Sequence, residues 1–181
     1  MNIYTKDFLG FGTFIFKKEW AKVKMVTPKM KVVLVEPEIP FNTGSIGRTC
    51  VALDLELILI GQLGFSLDSS SVARSGTRYW QFVEISLYDT WNEFLLQRAP
   101  HFEQLYFFEE DGSKSFYTPN YHPQAYLVFG CESKGLPKSI RDTMKDRTFS
   151  LPMKNEAVKS LNLANTVTAV VYQAMRNYLK K

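Results

Sequence analysis

Apolar residues in this chain fall in short unbroken runs rather than in one long periodic stripe. Val32 to Val35, Leu105 to Phe108 and Tyr126 to Phe129 are four-residue apolar blocks, and Leu55 to Ile60, Phe82 to Leu87 and Thr148 to Met153 are mixed blocks of similar length. Such blocks, bounded by Gly, Pro, Asn or Asp, predict strands, and a run with no polar alternation predicts a strand covered on both faces. Between them the spacing turns helical. A helix is predicted from Thr43 or Ser45 through Arg48, Cys50 and Val51 to about Leu53, and a second from Thr90 to Arg98 with Trp91, Phe94 and Leu95 inward. A short one is predicted over Pro137 to Lys145. The last follows Ser160 as N-cap, with Leu163, Val167, Val170, Ala174 and Tyr178 on one face. Ser69 to Ser75 has room for one or two further helical turns. Strands alternating with helices predict an α/β fold, a mostly parallel sheet with helices on both faces.

Residues 1–29 fit neither period. They scatter Phe8, Phe11, Phe14, Phe16 and Trp20 among lysines and read as an N-terminal extension ahead of a domain of residues 30–181. Gly10-Phe11-Gly12 is half of a dinucleotide fingerprint, but no strand precedes it and Ile15 stands where the third glycine belongs.

The block Tyr126 to Phe129 runs directly into Gly130-Cys131-Glu132-Ser133-Lys134-Gly135-Leu136-Pro137. Ligands of open α/β sheets bind outside the carboxyl ends of strands, and glycine lets backbone approach them closely, so Glu132 is a candidate site carboxylate. The same residues also suit a plain strand-to-helix connection with Glu132 in solvent. After Val35, the prolines at 37 and 40 forbid further strand, and Asn42-Thr43-Gly44 is turn and cap chemistry. Arg74-Ser75-Gly76-Thr77-Arg78-Tyr79-Trp80 sets two guanidinium groups beside two rings, which suits phosphates and unpaired bases, or equally a core pair of rings with solvated arginines. Glu109-Glu110-Asp111-Gly112 reads as a solvated acidic turn.

Composition narrows the class. A chain of 181 residues, 45% hydrophobic and 22% charged, is expected to form one folded domain with a core. No apolar run approaches the roughly 18–20 residues that span a bilayer, and no secretory h-region is seen, so a cytoplasmic location is expected. Cys50 and Cys131 are far apart and expected to be reduced. With His101 and His122 as the two histidines, neither a zinc set nor a Ser-His-Asp triad has enough material, and no metal is expected. The net charge of +4 is all in residues 1–29, where six lysines face two acidic residues; the other 16 basic and 16 acidic residues cancel. Bulk charge therefore gives no argument for a nucleic acid, and motifs have to carry it.

They do. Phe129-Gly130-x-Glu132-x-x-Gly135-Leu136-Pro137 resembles the second motif of the SPOUT methyltransferases, Glu36-Pro37-Glu38-Ile39-Pro40-Phe41-Asn42-Thr43-Gly44-Ser45-Ile46-Gly47-Arg48-Thr49-Cys50 the first, and Ser160-Leu161-Asn162-Leu163-Ala164-Asn165 the third, in the same order and at similar spacing. The resemblance runs from Met30 to about Lys181 and is nearest the branch that methylates the wobble nucleotide, cytidine or uridine 34, of tRNA. It implies a trefoil-knotted (SPOUT) C-terminal part and a homodimer that shares its active sites. It also implies S-adenosyl-L-methionine as methyl donor and tRNA as partner. Phe108, Gly130, Leu151, Met153, Ser160, Leu161 and Asn162 would line the cofactor pocket. Arg48, with Asn42 and Glu132 orienting it, would serve catalysis, and Arg74, Arg78 and Tyr172 would contact RNA. Two positions depart from the family pattern: Ser45 stands where asparagine is common, and Arg78 where an acidic residue is usual.

The implied task is to hold the donor, aim a ribose oxygen along the S–CH₃ axis and handle its proton. A guanidinium keeps its protons at neutral pH, so Arg48 is read as a phosphate clamp or a stabiliser of the developing alkoxide rather than as a base. Three alternatives stand beside a wobble 2′-O-methyltransferase. They are methylation at another tRNA or rRNA position, a knotted RNA-binding module without catalysis, and, more distantly, a nicotinamide-binding Rossmann domain.

Overall fold

The structure, a computed structural model, describes residues 29–67 and 77–179, without the side chains of Thr77 and Arg78. The expected helical turns at Ser69 to Ser75, Arg74 and the side chain of Arg78 lie outside the described residues, as does all of the N-terminal extension except Lys29.

The apolar blocks form β1 (Lys31–Val35), β2 (Glu56–Ile60), β3 (Ile85–Tyr88), β4 (Leu105–Phe108), β5 (Lys114–Ser115), β6 (Tyr126–Phe129) and β7 (Thr148–Ser150). They make a seven-stranded sheet in the order β3-β2-β1-β6-β4-β7-β5, and every ladder between neighbours is parallel. Helices α1 (Pro40–Leu53), α2 (Trp91–Arg98), α3 (Lys138–Thr143) and α4 (Leu163–Met175) cover it.

Side-chain alternation along each strand sorts the core into two layers. Val32, Leu34, Leu57, Leu59, Phe108, Leu127 and Phe129 face α1 and α4, where they meet Ile46, Cys50, Val167, Val170 and Val171. Val33, Val35, Ile58, Ile60, Phe107 and Val128 face the other way, onto Phe94 of α2 and Ile140 of α3. Phe94 is fully buried among the rings of Tyr88, Trp91 and Tyr126, at centroid distances of 5.6, 5.0 and 5.5 Å. Truncating it to Ala would cost about 3–5 kcal/mol.

Several boundaries differ from expectation. Helix α1 begins at Pro40 rather than at Thr43 or Ser45, because proline fits the first helical position, where no N–H is needed; Ile39 precedes it without a side-chain cap. The block Phe82 to Leu87 splits: Thr77–Phe82 is a 3₁₀ turn, and the strand is Ile85–Tyr88. That turn packs onto α1 where Gly47 leaves room, since a Cβ there would lie 2.7 Å from the ring of Trp80. Strand β7 ends at Ser150 instead of reaching Met153, and the two-residue β5 was not expected. Tyr178 lies beyond the end of α4 and is 38% exposed, so it does not extend the apolar face.

Candidate active site

Register brings the chemistry to one edge. Val35 pairs with Ile60, Leu34 with Phe129, and Phe129 with Phe108, so β1, β4 and β6 end side by side and the segments after them start together. The segment after β6 folds back on itself: Cys131 N donates to Gly135 O at 3.2 Å and Gly135 N to Cys131 O at 3.0 Å. This closure requires both glycines. A Cβ on Gly130 would lie 1.9 Å from the carbonyl carbon of Gly135. Gly135 itself has φ +68°, and a Cβ there would meet Glu109 Oε2 at 2.5 Å.

Glu132 stands at the tip of that loop and accepts from two elements. Asn42 Nδ2 donates to its Oε1 at 2.8 Å, and the Glu38 backbone N–H donates to its Oε2 at 2.8 Å. Asn42, buried in the first turn of α1, accepts in turn from Asn162 Nδ2 at 2.9 Å. Asn162 Oδ1 then accepts from the backbone of Ala164 at 3.0 Å and Asn165 at 3.3 Å, which caps α4. Asn162, not Ser160, is the cap, and it does two jobs at once. The chain of donors has one direction, from the positive end of α4 through two amides to the carboxylate, so each bond polarises the next in the same sense.

This cluster forms one wall of a cavity of about 540 Å³ on the α1/α4 face of the sheet edge. All seven residues expected to hold a cofactor, Phe108, Gly130, Leu151, Met153, Ser160, Leu161 and Asn162, line it, as do Asn42 and Glu132. Phe108 and Phe129 stack at 4.8 Å on its floor. Glu109, Glu110, Asp111 and Glu132 against Lys134 and Arg141 leave the lining with more negative than positive side chains.

Arg48 is not brought to Glu132. It lies six residues beyond Asn42, about 240° round the helix, so it points from a different face of α1. There it is exposed, with its guanidinium 5.0 Å from the Tyr79 ring centroid, while Glu132 is taken by Asn42 and Glu38. The expected orientation of Arg48 by Asn42 and Glu132 is therefore absent within one chain. Tyr172 is exposed on α4 and does not line the cavity.

Glu109, a solvated turn residue by its sequence pattern, has a structural role instead. It is half-buried and accepts from the Leu136 backbone at 2.5 Å, holding the far end of the Glu132 loop. Burial pushes its carboxyl above the ordinary 4.5, and Asp111 and Glu110 add in the same sense, against the opposing Leu136 N–H and Arg141. The signal was available: Glu109 directly follows a buried strand, as Gly130 does.

Residues 29–172 match the model of the SpoU rRNA Methylase family. The chain belongs to this family. The matched span contains all three segments joined by the Glu132–Asn42–Asn162 chain. Among SpoU relatives, a Burkholderia pseudomallei protein named tRNA (cytidine(34)-2′-O)-methyltransferase is 38% identical over 146 residues, covering 80% of this chain and 93% of that one. A solved structure described as giving insight into the 2-OH methylation of C/U34 on tRNA superimposes with TM-score 0.78 at 36% identity, covering 84% of this chain and 98% of its own. The SpoU methyltransferase AviRb of Streptomyces viridochromogenes, solved with the cofactor AdoMet, superimposes with TM-score 0.74 at 28% identity, covering 90% of this chain and 62% of its own.

Proposed function

We propose that this SpoU protein transfers a methyl group from S-adenosyl-L-methionine to the 2′-oxygen of the wobble nucleotide, cytidine or uridine 34, of tRNA. The observation that carries the reading is the directional chain Asn162–Asn42–Glu132, which closes three separate loops on one wall of the cavity. The cavity fits the donor. Its volume is in the range of small-molecule sites, Phe108, Phe129, Leu151 and Leu161 offer apolar surface to an adenine, and the excess of carboxylates suits a cationic sulfonium. When bound, the donor supplies an already activated methyl group, so the chain's own work is positioning and electrostatics. Asn42, held from both sides, fixes the wall beside the reacting atoms. Arg48 serves as a donor to a target phosphate or to the alkoxide developing on the ribose, with Tyr79 restraining its guanidinium.

The catalytic unit spans residues 30–181 and carries the trefoil knot of the family. It works as a homodimer in which Arg48 of one chain serves the cavity of the other. Two features support this: Arg48 does not line its own cavity, and Ile39, Phe41, Met153 and Leu161, on the segments that build the site, are exposed apolar residues. Arg74, Arg78 and Tyr172 are proposed to contact RNA outside the cavity. No helix among the described residues is long and apolar enough to cross a membrane, and the cytoplasm, where tRNA is processed, is the proposed location.

One experiment tests activity and assembly together. Wild type, Arg48→Ala, Asn162→Ala and a co-expressed mixture of the two variants are given S-adenosylmethionine and tRNA, and the nucleosides are read by mass spectrometry. Wild type should yield a 2′-O-methylated nucleoside at position 34, and each variant should be slower by about 10²-fold. Arg48→Ala should still bind S-adenosylhomocysteine. Mixed dimers keep one complete site, so the mixture should recover about a quarter of wild-type activity. Methylation elsewhere would move the target, no methylation would sink the reading, and an inactive mixture would mean that each chain completes its own site.

A further inference from the structure

We infer that Glu38 and Ser133 form a reciprocal latch that sets the position of Glu132, which makes Glu38 a positioning residue for the transfer; the inference rests on the methyltransferase reading above. Each of the two loops gives its glutamate a donor from the other. Glu38 N–H donates to Glu132 Oε2 at 2.8 Å, while Ser133 N–H and Ser133 Oγ donate to the Glu38 carboxylate at 3.0 and 2.8 Å.

The loop that carries Glu38 has nowhere to retreat. Glu36 turns it with φ +52°, Gly64 N–H holds Pro37 O at 3.0 Å, and a Cβ on Gly64 would lie 2.8 Å from the Cα of Glu38. No cation forms an ion pair with Glu38 or Glu132 among the described residues. Two like charges are thus held close by N–H and O–H donors alone, an arrangement that fixes loop register through geometry rather than through charge attraction. Asn42 reaches the other oxygen of Glu132, so a shift of the latch moves the Asn42 contact, whereas the apolar side of the cavity at Leu151, Met153 and Leu161 is untouched.

The test compares Glu38→Ala, Glu38→Gln, Glu38→Asp, Ser133→Ala and the Glu38→Ala/Ser133→Ala double variant in the full chain. Readouts are kcat and KM for tRNA, S-adenosylhomocysteine affinity, and hydrogen exchange of the 132–136 amides. Glu38→Ala should lower kcat about tenfold, with KM and S-adenosylhomocysteine affinity within about threefold of wild type. The double variant should be no worse than Glu38→Ala, since the two residues act as a unit. Gln keeps the reach and the acceptor and should restore kcat to within about threefold, while Asp keeps the charge but is one methylene short and should not. Exchange at 132–136 should rise in Ala and Asp, not in Gln. Normal turnover in Glu38→Ala, or rescue by Asp in place of Gln, overturns the positioning role. If wild type transfers no methyl group, the methyltransferase reading fails, and hydrogen exchange still decides the latch: unchanged exchange in Glu38→Ala sinks it.

Discussion

At the amino edge of the sheet Arg98 donates to Glu56, to Ser86 Oγ at 2.7 Å and to the Tyr88 hydroxyl, while at the carboxyl edge Glu132 accepts from Asn42 and the Glu38 backbone. Both are polar clusters set against a packed core, yet they are built to different ends. At the amino edge a carboxylate only 10% exposed is matched by a guanidinium, and neither residue lines the cavity beside Glu132. Among the described residues Glu132 instead has neutral donors, the Asn42 amide and the Glu38 N–H, and it sits beside a cavity with an excess of carboxylates. The difference separates holding a fold together from holding a charge ready.

Disrupting the two edges should therefore give opposite signatures. The largest effect is expected at the carboxyl edge: Gly130→Ala drives a methyl group into Gly135, opens the 130–136 loop and should weaken S-adenosylhomocysteine binding at least about tenfold by calorimetry. Tight binding by that variant would mean that the loop is not part of the donor site. Arg98→Met at the amino edge leaves Glu56 without its counter-charge and should cost about 2 kcal/mol, less than a fully buried pair because Arg98 is 29% exposed. That corresponds to a Tm lower by about 4–8 °C, with kcat at 25 °C within about twofold of wild type. A kcat that falls with Tm left unchanged would erase the distinction between the edges.

The smallest effect sharpens it. Because burial raises the Glu109 carboxyl above its unfolded value, Glu109 contributes stability at low pH that is lost as pH rises through its folded pKa. Wild type should lose stability as the pH climbs just above 4.5, and Glu109→Gln, which keeps an acceptor for Leu136 N–H, should be flat there and more stable at pH 7 by no more than about 3 °C. A steeper acid dependence in Glu109→Gln than in wild type would refute this sign.

What could be read in the chain followed from how local the cause was. Leu105–Phe108 and Tyr126–Phe129 were read to the residue, because an unbroken apolar run flanked by polar residues has few other uses. The start of α1 was misplaced because side-chain caps were sought at Thr43 and Ser45, while proline geometry at position 40 decided it. The cavity lining came through resemblance, and all seven residues do line it. The Glu38–Ser133 contacts span 95 positions in sequence, and no local pattern carries such a pairing. Arg48 was expected beside Asn42 and Glu132 through the family resemblance; helical rotation turns it from Asn42 toward Tyr79.

Asn162 shows how little freedom the site leaves its sequence. A helix start alone accepts Ser, Thr, Asp or Asn about equally well. Here the same side chain must also offer an N–H to Asn42 Oδ1, which Asp lacks altogether and which a hydroxyl, with its single short arm, cannot supply while reaching back to two backbone amides. The position is thus a vocabulary of one. A serine or aspartate there would still cap α4 but would leave the buried Asn42 Oδ1 without its donor, at a cost of about 1–3 kcal/mol. The loss would be a carbonyl oxygen on Asn42 left unpaired beside the cavity, seen in turnover as well as in a melt.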